Sequence, residues 1–329
     1  MDRYQEQVTI MLHRYFPPEL QDAILSVADF DDLQEIRCRI GQPLFLRYTQ
    51  YREEQVSDVV SQEQMHYIIS RITQGSVYAW EEELRRGYLT LPGGFRVGLS
   101  GKAVLDGGHI RTMKQIHALN FRIAREVYGA ADVLMPFLYK QQQIQNCLIV
   151  SPPGGGKTTI LRDAVRQLSS GVPELSQAGR IVAVIDERSE LAGSVNGIAQ
   201  MDVGCRTDVL DGCPKSEGIR MMIRSMAPQI VAVDEIGTEA DVRALEEAAQ
   251  SGVAVLATAH GTNMNTLNHH PVLYRLVDGQ YFDLIVFLHW ADGTVVMEIC
   301  RKAGDVGYET IGCFALDRHR QHHRLLQSV

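Results

Sequence analysis

The sequence predicts an α/β protein, a parallel sheet built around a phosphate-binding loop and preceded by a smaller α+β domain. Three observations predict it. From Cys147 onward, apolar strand-like runs alternate with helix-like stretches, the pattern of a parallel sheet with crossover helices. The first of these runs feeds Ser151-Pro-Pro-Gly-Gly-Gly-Lys-Thr-Thr159, a glycine-rich turn at the head of a helix. Before residue 126, short glycine-punctuated strands sit among amphipathic helices, which suggests an antiparallel sheet with its own core.

In chain order, residues 1–126 open on an amphipathic helix with Val8, Leu12 and Tyr15 on one side. Glu35-Ile-Arg-Cys-Arg-Ile40 and Leu44-Phe-Leu-Arg-Tyr48 flank the turn Gly41-Gln-Pro43 and read as a β-hairpin. A helix over 62–74 places Met65, Ile68, Ile69 and Ile72 at helical spacing, and strands follow near 86–90 and 94–100. Residues 127–146, with Gly129, Pro136 and three glutamines in a row, read as a linker merging into a helix. The domain from 147 to 329 carries strands near 147–151, 181–186, 230–234 and 253–258. Thr238 and Asp241 cap a helix whose buried face is Val242, Leu245, Ala248 and Ala249, and Gly252 ends it. Apolar runs at 282–288 and 294–299 flank Asp292-Gly293, a strong hairpin signal. The segment 192–213, rich in glycine and aspartate and bearing Arg206, reads as a long loop that closes over a ligand or faces a neighbouring subunit.

Composition narrows the function. The 329 residues are enough for two domains, and 45% hydrophobic with 22% charged residues is the balance of an ordinary soluble protein. A net charge of −8 argues against a protein that mainly grips nucleic acid. No apolar run reaches the roughly 18 residues of a membrane span, and the N-terminus lacks a signal peptide's basic start and apolar stretch. The six cysteines form no C-x-x-C pair, so reduced thiols in the cytoplasm are expected. His269-His270 and the tail histidines His319, His322 and His323 are expected to be solvated rather than metal-bound.

The chemistry gathers at four strand ends, where open parallel sheets bind ligands. Gly154, Gly155 and Gly156 let backbone N–H groups converge on phosphate, and the helix start adds partial positive charge. Ser151, Pro152 and Pro153 complete the loop entry, with Ser151 where the strict pattern wants glycine. Lys157 reaches the β- and γ-phosphates of ATP, Thr158 offers its hydroxyl to Mg²⁺, and Thr159 closes the motif. Asp234 at the third strand end is expected to hold the metal, and Glu235 to polarise the attacking water. The second strand ends in Asp186-Glu187-Arg188, an auxiliary acidic box in which Glu187 faces the γ-phosphate side. The fourth ends in Thr258-Ala-His260, where His260 can test for that phosphate. The expected core is therefore a P-loop NTPase of the RecA/AAA-like kind.

This ordered set resembles the traffic ATPases of type II and type IV secretion and of pilus machines. Their phosphate loop, acidic box, Walker B strand and histidine box correspond to 151–159, 186–190, 230–235 and 258–260, and 35–44 looks like their opening hairpin. Within that family the similarity is to a sporulation branch from endospore-forming bacteria. It is carried by Glu187-Arg-Ser-Glu-Leu-Ala-Gly193, by Arg206-Thr-Asp-Val-Leu-Asp-Gly-Cys-Pro-Lys215, and by Ile223-Arg-Ser-Met-Ala-Pro228 leading into Val233-Asp-Glu-Ile-Gly237. Asp234 stands where many secretion ATPases have glycine. The resemblance implies a homo-hexameric ATPase of the mother cell, peripheral at the inner face of the membrane. It would dock on membrane-embedded channel proteins that link mother cell and forespore. A ring would also admit an arginine offered from elsewhere, with Arg96, Arg111, Arg122 and Arg125 as candidates. Two rival readings are an ATP-dependent assembly switch without turnover and a nucleic-acid translocase. The acidic balance and the lack of a basic, aromatic-studded segment weigh against the second, and no nucleic-acid partner is expected.

Overall fold

The computed structural model describes residues 3–316 and 324–327, apart from 31, 49–51, 58, 76–79, 124, 292–293 and 305–306. The chain divides into two compact units. The first comprises 1–125 together with 193–200, and the second 126–192 with 201–329.

The first unit starts with helices α1 (Arg3–Tyr15) and α2 (Pro18–Val27). Val8 and Leu12 of α1, Leu20 and Ile24 of α2, and Phe16 between them are buried in the unit's core. Strands β1 (Leu33–Arg39), β2 (Phe45–Tyr48) and β3 (Glu53–Gln55) follow, with the expected hairpin pairing Ile36 with Leu46. Helix α3 (Gln62–Ile72) begins at a capping box, in which the Ser61 hydroxyl accepts from the Gln64 N–H and the Gln64 side chain accepts from the Ser61 N–H. Helix α4 (Glu81–Arg86) stops at Gly87, whose φ of 78° turns the chain into β4 (Tyr88–Leu91). Strands β5 (Phe95–Asp106) and β6 (His109–Arg122) complete an antiparallel sheet in the order β3-β2-β1-β6-β5-β4. Segment 193–200 joins this unit, and Gln200 Oε1 accepts the Gly93 N–H at 3.0 Å.

The second unit opens within the stretch read as a linker. There, α5 (Met135–Leu138) leads into a ribbon of β7 (Tyr139–Lys140) and β8 (Gln143–Ile144), and Ala131 N–H donates to Asp163 at 2.9 Å. Strand β9 (Cys147–Ser151) then feeds α6 (Lys157–Ser170), with a second ribbon of β10 (Gly171–Val172) and β11 (Gln177–Ala178) behind it. Next come β12 (Val182–Asp186), β13 (Thr207–Asp211), α7 (Lys215–Met226), β14 (Ile230–Val233), α8 (Glu239–Gln250) and β15 (Ala254–His260). Short helices α9 (Met264–Asn268) and α10 (Tyr274–Asp278) precede β16 (Leu284–Ala291), β17 (Thr294–Lys302), β18 (Tyr308–Leu316) and β19 (Arg324–Gln327). The sheet order is β13-β12-β14-β15-β9-β16-β17-β18-β19, parallel from β13 to β16 and antiparallel beyond. Every residue of β9, β12 and β14 is buried, which is why these strands read as unbroken apolar runs rather than alternating ones.

Several expectations meet particular outcomes. The cap of α8 forms as expected, with Thr238 and Asp241 bonded reciprocally. The segment expected to be one long loop instead contains β13. That strand lies at the sheet edge with only Val209 and Leu210 apolar, so it carries little hydrophobic signal. Arg206 is tied down beside it, its N–H donating to Ser169 Oγ at 2.7 Å and its guanidinium to Ser169 O at 3.1 Å. His270 Nδ1 accepts the Val272 and Leu273 N–H groups. Asp292-Gly293 and the tail histidines lie outside the described residues. Among the described residues no helix is long and apolar enough to cross a membrane.

Candidate active site

The phosphate loop is shaped by what its residues lack. Ser151 is fully buried at the end of β9 and donates its hydroxyl to Pro152 O at 2.9 Å. Gly154 and Gly156 take φ of 74° and 92°, the left-handed region that a side chain resists. A Cβ on Gly155 would come within 2.7 Å of the Ser151 side chain. Serine is thus accommodated in the place of the motif's first glycine because Gly155 leaves room for it. Helix α6 then begins at Lys157 with Gly156 as its N-cap and no side-chain cap. Its first-turn N–H groups and positive dipole end are therefore presented without an internal side-chain acceptor, an arrangement suited to an anion.

Neighbouring strands bring acids to this loop. Strand β15 pairs with β9 so that His260 lies opposite Ser151, and β14 pairs with β15 on its other side. Asp234, just beyond β14, accepts the Thr158 hydroxyl on Oδ2 at 2.8 Å and the Thr258 hydroxyl on Oδ1. The same Thr258 oxygen accepts the Glu235 N–H at 2.8 Å. Glu235 sits at φ 52°, a conformation that a non-glycine residue holds only when its surroundings impose it. Three cationic or ionisable groups converge on its carboxylate. Lys157 Nζ at 3.3 Å and His260 Nε2 at 3.0 Å meet Oε1, and Arg188 Nη1 at 2.7 Å meets Oε2. Burial alone would push this carboxyl's pKa up, but Lys157, His260 and Arg188 outweigh it and hold it below the usual value.

The end of β12 is arranged differently. Asp186, 2% exposed, accepts N–H groups from Glu190 at 2.8 Å, Leu191 at 3.1 Å and Ala192 at 2.8 Å. Burial pushes its pKa up, and those three donors offset the shift only in part. The buried Arg162 of α6 grips the same turn, donating to the Glu190 and Leu191 carbonyls at 2.6 Å each. Glu187 takes Lys215 at the start of α7 as its ion-pair partner.

The structure therefore brings Lys157, Thr158, Asp234, Glu235 and His260 into one connected cluster. Thr159 lines a small cavity with Glu126, Arg162 and Asp163, and Pro153 is exposed at the loop's tip. Sequence reasoning gave no role to Arg188, Lys215 or Thr258. All three lie within stretches already singled out, but the pairing of Lys215 with Glu187 spans a separation that no local pattern reveals.

The chain matches the family model described as sporulation stage III, protein AA, over residues 4–306. It is 40% identical over 308 residues to stage III sporulation protein AA of Bacillus subtilis (strain 168), covering 90% of this chain and 96% of that protein. Among solved structures it is similar to the Legionella pneumophila ATPase DotB, with a TM-score of 0.61, 17% identity, and coverage of 88% of this chain and 83% of that one. It is also similar to the pilus retraction motor PilT with bound ADP, with a TM-score of 0.55, 14% identity, and coverage of 91% and 82%. At these identities the likeness shows the fold: a P-loop NTPase core with a parallel sheet and a smaller N-terminal α+β domain.

Proposed function

Because the chain belongs to the sporulation stage III protein AA family, we propose that it is a Mg²⁺-dependent ATPase that energises a channel between mother cell and forespore. The observation that carries this reading is the cluster around the uncapped start of α6. There a lysine, two threonine hydroxyls, an aspartate and a strained glutamate meet within hydrogen-bond reach.

The residues fit nucleotide and metal. Gly154 and Gly156 hold the loop in left-handed backbone that a side chain resists, and the α6 start carries no side-chain cap that would compete with a phosphate. Among the described residues no three His, Cys, Asp or Glu side chains gather as a metal cage. Mg²⁺ would accordingly be held by the Thr158 hydroxyl and Asp234 together with the triphosphate and water, as this ion prefers. When bound, it would neutralise charge on the β- and γ-phosphates. Lys157 would exchange its ion pair with Glu235 for the denser charge of the phosphates. Glu235, relieved of that partner, would accept a proton from the attacking water. Glu187 and His260 would couple the presence of the terminal phosphate to movement of the N-terminal domain. The motor would work as a ring of six at the inner face of the membrane, docked on membrane-embedded channel proteins.

The test is hydrolysis by purified protein. Lys157→Ala should weaken ATP binding about 10- to 100-fold, the worth of one charge-assisted hydrogen bond, and abolish turnover. Wild-type turnover in that variant would refute the reading. The assembly-switch alternative draws support from the three partners that occupy Glu235, and it predicts normal ATP binding without turnover in the wild type.

A further inference from the structure

We propose that Arg188 is a positioning residue that holds Glu235 out of action until a terminal phosphate draws its guanidinium away, so that one side chain makes the site respond to ATP and not to ADP. The proposal rests on the ATPase reading and adds to it the means of telling the two nucleotides apart.

The partners of Glu235 divide by oxygen. Lys157 and His260 share Oε1, whereas Arg188 alone among the contacts given above takes Oε2. A carboxylate held on both oxygens by cationic groups is poorly placed to accept a proton from water. Lys157 does not discriminate between nucleotides, since a phosphate-loop lysine engages the β-phosphate that ADP also carries. Arg188 is placed differently. It approaches Glu235 from the β12 side and is separated from Lys157 by the width of a single carboxylate.

The backbone around Arg188 is fixed while its side chain is not buried. Asp186 holds the N–H groups of 190–192, and Ser189, at φ 53°, donates its hydroxyl to Asp211 at 2.6 Å. The Arg188 side chain is 57% exposed, whereas that of Lys157 is only 6% exposed. A guanidinium on a rigid base with a solvent-facing stem can swing between two anions without disturbing the fold. Its planar fork suits the oxygens of a phosphate at least as well as those of a carboxylate. A triphosphate in the cradle would present a second anion with more charge than Glu235. With ADP, no such competitor reaches Arg188, and the latch stays closed.

The experiment compares ATP and ADP titrations and steady-state hydrolysis for full-length wild type, Arg188→Gln and Arg188→Lys, with melting temperature as a control. Arg188→Gln should bind ADP within about twofold of wild type and melt at the same temperature. Its preference for ATP over ADP should fall about tenfold or more. Arg188→Lys should recover part of that preference. An unchanged ATP-to-ADP ratio in Arg188→Gln, with the wild type active, would overturn this inference alone. Equal losses of ATP and ADP binding would overturn it too, since the residue would then only maintain the site's shape. No ATP binding by the wild type would overturn both this inference and the ATPase reading.

Discussion

Strands β12 and β14 lie side by side, and the chain carries the same two letters at the carboxyl end of each. Asp186-Glu187 and Asp234-Glu235 come directly after the register pair Ile185 and Val233. Their surroundings nonetheless part completely. Asp186 is buried and spends its oxygens on three backbone N–H groups, which makes it the seat of a turn. Asp234 spends its oxygens on two hydroxyls, one of them on the phosphate loop. Glu187 is paired with a lysine of α7, whereas Glu235 meets the lysine of the loop, a histidine and an arginine. The difference teaches that a dipeptide at a strand end has no fixed role. The element packed against it decides whether it builds backbone or does chemistry.

The contrast breaks most readily through turnover. Glu235→Gln should lower kcat about 10²- to 10⁴-fold, the range of a lost general base, with ATP binding retained. Glu187→Gln should cost far less, about tenfold at most, because its carboxylate faces Lys215. Equal losses, read by steady-state phosphate release, would merge the two sites into one.

Stability should show the opposite ranking. Asp186→Ala leaves three backbone donors without their acceptor, so urea denaturation should show a loss of about 1–3 kcal/mol or more. Asp234→Ala leaves two hydroxyls that can rotate to other acceptors, and it should cost about 1 kcal/mol or less. A larger loss for Asp234→Ala would invert the assignment of seat and site.

The smallest effect is on pH dependence, and its sign differs at the two ends. The folded protein holds Glu235 below the usual glutamate value of about 4.3. Its contribution to stability is therefore complete above that pH and is lost as acid titrates the folded group. Asp186 is raised, so its contribution is present below about pH 3.9 and is lost as pH rises through the folded value. In melts from pH 3 to 7, the gap between wild type and Glu235→Gln should narrow on acidification. Wild type should gain relative to Asp186→Asn over the same range. Parallel trends would show that the two acids share one environment.

Much of this was legible in the letters. The loop, the apolar strands and the α8 cap each rest on local chemistry, since glycines, buried parallel strands and a threonine–aspartate box announce themselves within a few residues. Three features did not. The edge strand β13 has too few apolar residues to be seen as a strand. The φ of Glu235 depends on Thr258, which the sheet delivers from a neighbouring strand. The choice of Lys215 by Glu187 and of Arg188 by Glu235 is a matter of side-chain packing between elements distant in sequence. Periodicity cannot encode such choices.

The short piece 193–200, counted with the first unit, has a consequence for how the chain is made. A ribosome releases residues 1–125 long before that piece, and the partner of Gly93 arrives only with Gln200. The first-born half of the molecule must therefore wait, still missing a part, while the strand carrying Asp186 is being translated. Its final closure is then a late event in biosynthesis rather than an early one.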